Sequence, residues 1–178
     1  MHDANLQELA GVDGTPQEFT LAELTKMTVK ENGQEAPIAS FDDYLAKANQ
    51  AKQKLLVEIK TSKQDSQGAL SNFIEKYERP LIKNNHQVQS LDYNVIKAFK
   101  KAKSKAKVSF ILPYNFTFPE TQADLYTMEA TTLNDTFILK ADQQKKAVYA
   151  WTVNDSEVLS KMLFMDVAGV ITDDLELV

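Results

Sequence analysis

The sequence predicts an α/β fold in which parallel strands are covered by helices, and two observations support this class. Short apolar runs bounded by polar residues alternate with segments in which apolar residues recur every three or four positions. Most of the runs are largely apolar, which is typical of strands buried on both faces of a parallel sheet. A (β/α) barrel and an open doubly wound sheet both fit this pattern, although no Gly-x-Gly-x-x-Gly and no Walker loop supports a nucleotide-binding open sheet.

Length and composition narrow the possibilities. The 178 residues are 43% hydrophobic and 25% charged, as in a globular domain, whereas a complete eight-stranded barrel takes about 250 residues. The net charge of −5 disfavours contact with nucleic-acid phosphates, so no nucleic-acid partner is expected. The lack of cysteine excludes disulfides and cysteine catalysis, and no apolar run approaches the roughly 20 residues that cross a bilayer.

Residues 3–36 are polar and rich in turns, and two capping boxes mark the first helices. Thr20 stands three residues before Glu23, and Ser40 stands three residues before Asp43. Each hydroxyl can therefore accept a hydrogen bond from a backbone N–H group of the first helical turn. The face of the second helix that is expected to be buried contains Phe41, Tyr44, Leu45 and Ala48.

Six strands are expected in the remainder of the chain, at residues 54–59, 86–91, 107–112, 124–129, 147–153 and 167–172. The expected helices are one from Ala69 that ends before Pro80, one through residues 95–99, one over 134–144, and one capped by Asn154. Residues 113–122 contain two prolines and are expected to form a loop.

A carboxylate and an ammonium group accompany the first of these strands. Glu58 stands among aliphatic residues, where its burial would be costly unless it were paired, bound a cation or pointed to solvent at a strand end. Lys60 lies two residues on and projects to the same face of the strand. The spacing fits a plain ion pair as well as a metal ligand beside a phosphate-binding cation.

Three other residues are candidates by their chemistry or their rarity. The two histidines are His2 and His86, and histidine suits proton transfer because its pKa is near 6.5. A terminal histidine such as His2 means little by itself, and His86 is interpreted as a structural or surface residue. Trp151 is the single tryptophan, and its place near a strand end is most often a core position.

Several blocks follow one another in an order that resembles the glycerophosphodiester phosphodiesterase family. They are His2-Asp3, Thr20-Leu-Ala-Glu-Leu24, Leu55-Leu-Val-Glu-Ile-Lys60, Ala150-Trp-Thr-Val-Asn154 and Gly169-Val-Ile-Thr-Asp173. The resemblance implies a (β/α)8 TIM-like barrel that hydrolyses glycerophosphodiesters to glycerol 3-phosphate and an alcohol. Family members carry a His-Arg block and a Glu-x-Asp block ahead of the His-Asp, and neither occurs here. Residues 1–178 are therefore expected to form one incomplete barrel that lacks its first strands.

The resemblance also implies roles for individual residues. Glu58 would bind a divalent metal ion, Ca²⁺ or Mg²⁺, and Lys60 would contact the substrate phosphate as part of the catalytic set. His2 would protonate the departing alcohol, and Trp151 would form one wall of the glycerol pocket. The segment from Gln89 to Asp92 resembles the family's Gln-Ser-Phe-Asp, with a leucine in place of the aromatic residue, and would supply supporting polar groups. Thr172 and Asp173 would be structural.

Two further expectations follow from the missing blocks. Since two of the family's three protein metal ligands and one of its two histidines are absent, the isolated chain should bind metal weakly and be nearly inactive. An alternative is a non-catalytic barrel remnant that acts through protein contact. An incomplete barrel also leaves sheet edges uncovered, which predicts a homo-oligomer.

The segments 111–115 and 124–129 resemble Gram-positive family members that are joined to a membrane domain. The chain is thus expected to be a soluble piece of a membrane-associated parent, on an unspecified side of the membrane. The expected partner is a small-molecule glycerophosphodiester.

Overall fold

The computed structural model describes residues 5–31, 33–66 and 68–177. The chain divides into two compact units. The first comprises Met1–Gln53 and Ser62–Ser66, and the second comprises Lys54–Thr61 and Gln67–Val178. The second unit contains the parallel sheet on which the candidate site is built.

The first unit consists of short helices and a hairpin. Its elements are α1 (Gln7–Ala10), a 3-10 turn (Pro16–Glu18), α2 (Leu21–Leu24), β1 (Thr28–Glu31), β2 (Gln34–Pro37) and α3 (Phe41–Gln50). Strands β1 and β2 pair antiparallel. The sequence did not predict this hairpin, because β2 is exposed along its whole length and carries no apolar alternation.

Both predicted capping boxes lie at helix starts. The Thr20 hydroxyl accepts a hydrogen bond from the Glu23 N–H at 3.3 Å, and the Ser40 hydroxyl accepts one from the Asp43 N–H at 3.1 Å. The predicted buried face of α3 needs one correction. Tyr44 is 58% exposed, because it lies at the flank of the helical stripe that buries Leu45 and Ala48.

The second unit holds a six-stranded parallel sheet. Its strands are β3 (Leu56–Glu58), β4 (Gln87–Ser90), β5 (Lys107–Leu112), β6 (Leu125–Glu129), β7 (Ala147–Trp151) and β8 (Gly169–Val170). They are hydrogen-bonded in the order in which the chain runs. Sequential order is the pattern of a (β/α) barrel, whereas a doubly wound sheet reverses direction at a switch point. The predicted partial TIM-like barrel is therefore confirmed.

Helices cross between most of these strands. They are α4 (Ala69–Lys83), α5 (Tyr93–Lys101), α6 (Asp135–Gln143) and α7 (Ser156–Phe164), and a 3-10 turn (Leu175–Leu177) follows β8. Strands β5 and β6 are joined by the predicted loop, with no helix between them. Each helix therefore returns the chain to the amino end of the next strand, and the carboxyl ends of all six strands share one edge.

The main core lies between the sheet and its helices. Alternate residues of two central strands contribute to it, and so do residues of the two last helices: Tyr126, Met128, Val148, Ala150, Phe137, Ala141 and Met162. The rings of Phe118, Tyr126 and Phe137 lie 5.0 to 5.4 Å apart in this cluster. Burying each large side chain contributes about 1.5–3 kcal/mol, so this cluster is the main stabilising element of the sheet.

Two predicted helix boundaries are wrong for physical reasons. Pro80 lies inside α4, which continues to Lys83, because a proline near the last turn removes only one helical hydrogen bond and burial of Leu81 favours the extra turn. The cap of α7 is Asp155, whose carboxylate accepts hydrogen bonds from two first-turn N–H groups. Asn154, the predicted cap, bonds to the segment after β8 instead.

Candidate active site at the strand carboxyl ends

Glu58 and Lys60 lie together at the carboxyl end of β3. The Lys60 Nζ is 3.9 Å from the Glu58 Oε1, and the two side chains are 41% and 31% exposed, respectively. The prediction that they project to the same face is confirmed by this distance. A partly exposed pair at this separation adds little to stability, about 0–1 kcal/mol. Because both side chains are partly exposed, a ligand can reach their charged groups.

The backbone on both sides of Lys60 is fixed to the next strand. The Ile59 N–H donates to the Gln89 carbonyl at 2.9 Å, and the Ser90 hydroxyl donates to the Ile59 carbonyl at 2.6 Å. Beyond Lys60, the Thr61 hydroxyl donates to the Asp92 carboxylate at 2.7 Å. These bonds hold the segment that presents Lys60 to the carboxyl edge of the sheet.

Asp92 has two structural functions. Its carboxylate accepts the Asn94 N–H at 2.9 Å, which caps α5, and it receives the Thr61 hydroxyl. The hydrogen bond from the Asn94 backbone, followed by that from Thr61, lowers the pKa of Asp92 below its ordinary value. The carboxylate therefore stays ionised and keeps the β3 and β4 ends together.

Trp151 is the last residue of β7 and is partly exposed at the same edge. Its indole N–H donates to the Thr127 carbonyl of the neighbouring strand at 3.3 Å, which fixes the ring. Its partner in the strand register is Glu129, the last residue of β6. An aromatic ring and a carboxylate thus stand side by side at the two strand ends.

Sequence reasoning missed Glu129. Its carboxylate accepts hydrogen bonds from the N–H and hydroxyl of Thr131 and from the N–H of Thr132, at 2.7 to 3.1 Å. Burial raises the pKa of Glu129, but these hydrogen bonds outweigh it and leave the pKa below its ordinary value. The available signal in the sequence was a glutamate at a strand end with threonines two and three residues later, an arrangement that can form a turn.

The ends of β7 and β8 are joined through Asn154. Its side-chain oxygen accepts hydrogen bonds from the Thr172 hydroxyl at 3.1 Å and the Asp173 N–H at 2.9 Å, and its amide donates to the Asp173 carboxylate at 2.8 Å. The Thr172 and Asp173 side chains are engaged in these contacts, which agrees with the structural role expected for them.

The structure describes only one of the two histidines, His86. His2 lies outside the described residues. His86 is 2% exposed, and its Nδ1 accepts the Leu55 N–H at 2.9 Å. Burial lowers the pKa of His86, so the ring is neutral near pH 7. It precedes β4, at the amino end of the sheet, away from Glu58.

Glu58 is the candidate ligand for a divalent ion at this edge of the sheet. Glu58 offers exposed carboxylate oxygens, which are the hard ligands that Ca²⁺ and Mg²⁺ prefer. Within residues 5–31, 33–66 and 68–177, no group of three histidine, cysteine, aspartate or glutamate side chains is arranged to hold a metal. Glu58 therefore fits as a single ligand.

In the same ranges, no helix is both long and apolar enough to cross a bilayer.

Several solved structures have a similar fold. A phosphodiesterase from Oleispira antarctica in complex with the product sn-glycerol-3-phosphate is 17% identical, with a TM-score of 0.78 over 97% of this chain and 74% of the other. A glycerophosphodiester phosphodiesterase from Parabacteroides distasonis is 20% identical, with a TM-score of 0.77 over 97% and 72%. One from Agrobacterium tumefaciens is 12% identical, with a TM-score of 0.76 over 99% and 77%.

The sheet order and the polar strand ends define a partial (β/α)-barrel domain of the kind on which enzyme sites are built. The sequence model described as the glycerophosphoryl diester phosphodiesterase family matches residues 1–177. The chain belongs to this family, as its sequence blocks predicted. The curated proteins give no significant match.

Proposed function

We propose that the carboxyl edge of this sheet is part of the active site of a hydrolase that cleaves glycerophosphodiesters to glycerol 3-phosphate and an alcohol. The observation that carries the proposal is the exposed Glu58–Lys60 pair at the end of β3, in a chain of this family. The product bound to the Oleispira antarctica phosphodiesterase supports a small-molecule substrate.

The residues of the pair have complementary roles. Lys60 contacts a phosphate oxygen of the diester, and its ammonium group stabilises the negative charge that develops on the phosphate oxygens in the transition state. Glu58 would hold a divalent ion, Ca²⁺ or Mg²⁺, and the bound ion would supply further positive charge beside the phosphate. The links from Ser90 and Asp92 keep Lys60 in place. Defined placement of charged groups contributes strongly to the rate.

Two other residues complete the proposed site. The ring of Trp151 provides an apolar wall for the glycerol carbons, since its N–H is already bonded to Thr127. His2 gives a proton to the oxygen of the departing alcohol, a role that suits a group with a pKa near neutrality.

The family's first histidine block and Glu-x-Asp pair do not occur in the 178 residues. We therefore expect turnover by this polypeptide to be far below the ordinary value of about 10 per second.

Binding of sn-glycerol 3-phosphate tests the proposed site without relying on turnover. Calorimetry in the presence of calcium should detect binding to the natural chain, and Lys60→Ala should weaken it about tenfold or more, since a charge-assisted hydrogen bond is lost. Lys83→Ala removes an exposed lysine at the other end of the sheet and should leave the affinity unchanged. Equal affinities of the natural chain and Lys60→Ala would refute the role of Lys60.

We also propose that copies of the chain associate through the end strands of the sheet. Strands β3 and β8 are the first and last in the order of the described sheet, and unpaired strand edges favour pairing with another chain. Light scattering over a range of concentrations should show a dimer or a higher oligomer; a monomeric mass throughout would exclude it. The membrane association of the parent protein stays a prediction.

A further inference from the structure

Apolar side chains protrude beside the candidate site. Leu91 follows β4 directly and is 53% exposed, while Tyr114 and Phe116 follow β5 and are 63% and 88% exposed. The Tyr114 and Phe116 rings are 5.6 Å apart. Strands β3, β4 and β5 are neighbours, so these three residues, here called the apolar rim, lie at the same edge as Glu58. Exposed apolar groups gathered at one place are typical of an interaction surface.

We propose that the apolar rim binds the surface of a zwitterionic phospholipid bilayer. Most of each side chain is exposed, although Phe116 also borders a cleft. Protruding aromatic side chains suit insertion among lipid headgroups and the first acyl carbons. A concave pocket would be required to enclose a single chain. The protruding geometry therefore favours a lipid surface over an isolated hydrocarbon ligand.

Polar donors next to the rings match a phospholipid headgroup. Phe116 lines a cleft of about 420 Å³ together with Asn134 and Lys140. The ammonium group of Lys140 can contact a lipid phosphate while the ring of Phe116 contacts hydrocarbon, which is the order of groups across a headgroup layer. The net charge of −5 opposes an anionic surface. The expected lipid is therefore phosphatidylcholine rather than an acidic phospholipid.

A second apolar pair provides a matched control. Leu163 and Phe164 end α7 and are 66% and 91% exposed, respectively. Because α7 returns the chain to the start of β8, this pair lies at the amino end of the sheet. The pair is about as exposed as Tyr114 and Phe116 but lies at the opposite end of the sheet. Mutation of the pair therefore distinguishes binding by the apolar rim from non-specific binding by any exposed apolar side chain.

Flotation with phosphatidylcholine vesicles tests the proposal on the full chain. The natural chain should float with the vesicles, and Tyr114→Ser with Phe116→Ser should reduce partitioning about tenfold or more, since two side chains lose apolar burial. Leu163→Ser with Phe164→Ser should float as the natural chain does. Circular dichroism and binding of sn-glycerol 3-phosphate should be unchanged in both variants.

Each contrary outcome overturns the proposal. These outcomes are failure of the natural chain to float, equal flotation of the rim variant, and an equal loss of binding in the control variant. A dimer that becomes monomeric in the rim variant, without any vesicle binding, would identify the rim as a contact between copies. Vesicle binding without binding of sn-glycerol 3-phosphate would uphold the rim and refute the proposed function, so the two failures are distinguishable.

Discussion

The two ends of the parallel sheet use polar side chains differently. At the amino end, the residues just before β4, β6 and β7 bond to the backbone of neighbouring segments. His86 accepts the Leu55 N–H, Asp124 accepts the Val108 N–H, and Lys146 donates to the Thr121 carbonyl. These groups satisfy backbone donors and acceptors where strands begin, so this end of the sheet is organised for stability.

At the carboxyl end, polar side chains divide into two sets. Asp92, Glu129 and Asn154 bond to the loops and so hold the ends of the strands. Glu58 and Lys60 lie 3.9 Å apart, and both side chains are partly exposed. Location at the carboxyl edge therefore does not by itself define a functional residue. A side chain that keeps its charge accessible, while its backbone is fixed, is the stronger candidate.

The largest expected effect is on stability at the amino end. Asp124→Ala removes a hydrogen bond to the buried Val108 N–H at 2.8 Å and an ion pair with Lys100 at 2.6 Å. We expect the free energy of unfolding to fall by about 2–3 kcal/mol, because a buried donor loses its partner. Urea denaturation measures this. Glu120→Ala, a change of an exposed acid in the preceding loop, should cost less than about 0.5 kcal/mol; equal losses would refute the distinction.

The next largest effect is expected in how stability depends on pH through His86. Since burial lowers the pKa of His86, the unfolded chain binds a proton that the folded chain resists, and stability falls as pH decreases below about 6.5. His86→Gln keeps an acceptor for the Leu55 N–H but cannot titrate, so its stability should vary less between pH 7 and pH 5. His2→Gln is the control, and its pH profile should follow that of the natural chain. A parallel profile for His86→Gln would contradict the assignment.

The smallest effect on stability is expected at Glu58. Glu58→Gln changes an exposed, loosely paired carboxylate, so unfolding should shift by less than about 0.5 kcal/mol. The variant should nevertheless abolish whatever calcium dependence the chain shows in calorimetry, because an amide is a weaker ligand than a carboxylate. Tight calcium binding that survives the change would place the metal elsewhere.

Sequence patterns predicted the fold to a large extent because its determinants are local. The apolar runs located all six strands of the sheet, and spacing of two residues placed Glu58 and Lys60 on one face. The β1–β2 hairpin escaped prediction because it lacks apolar alternation. The Thr61–Asp92 bond escaped because its partners are 31 residues apart and meet only when β3 pairs with β4. Contacts that support a site, such as this one, join residues distant in sequence, so sequence patterns do not reveal them.

The sequential strand order also has a consequence for folding. Each strand from β4 to β8 pairs with the strand that precedes it in the chain. As the polypeptide leaves the ribosome, every new strand therefore finds its partner already synthesised, separated only by the intervening helix or loop. Contacts between near neighbours in sequence close short loops and favour rapid folding. The sheet can thus grow by addition at one edge. Among the six described strands, β3 and β4 carry Glu58 and residues that fix Lys60, and they form the pair that is synthesised before the other four.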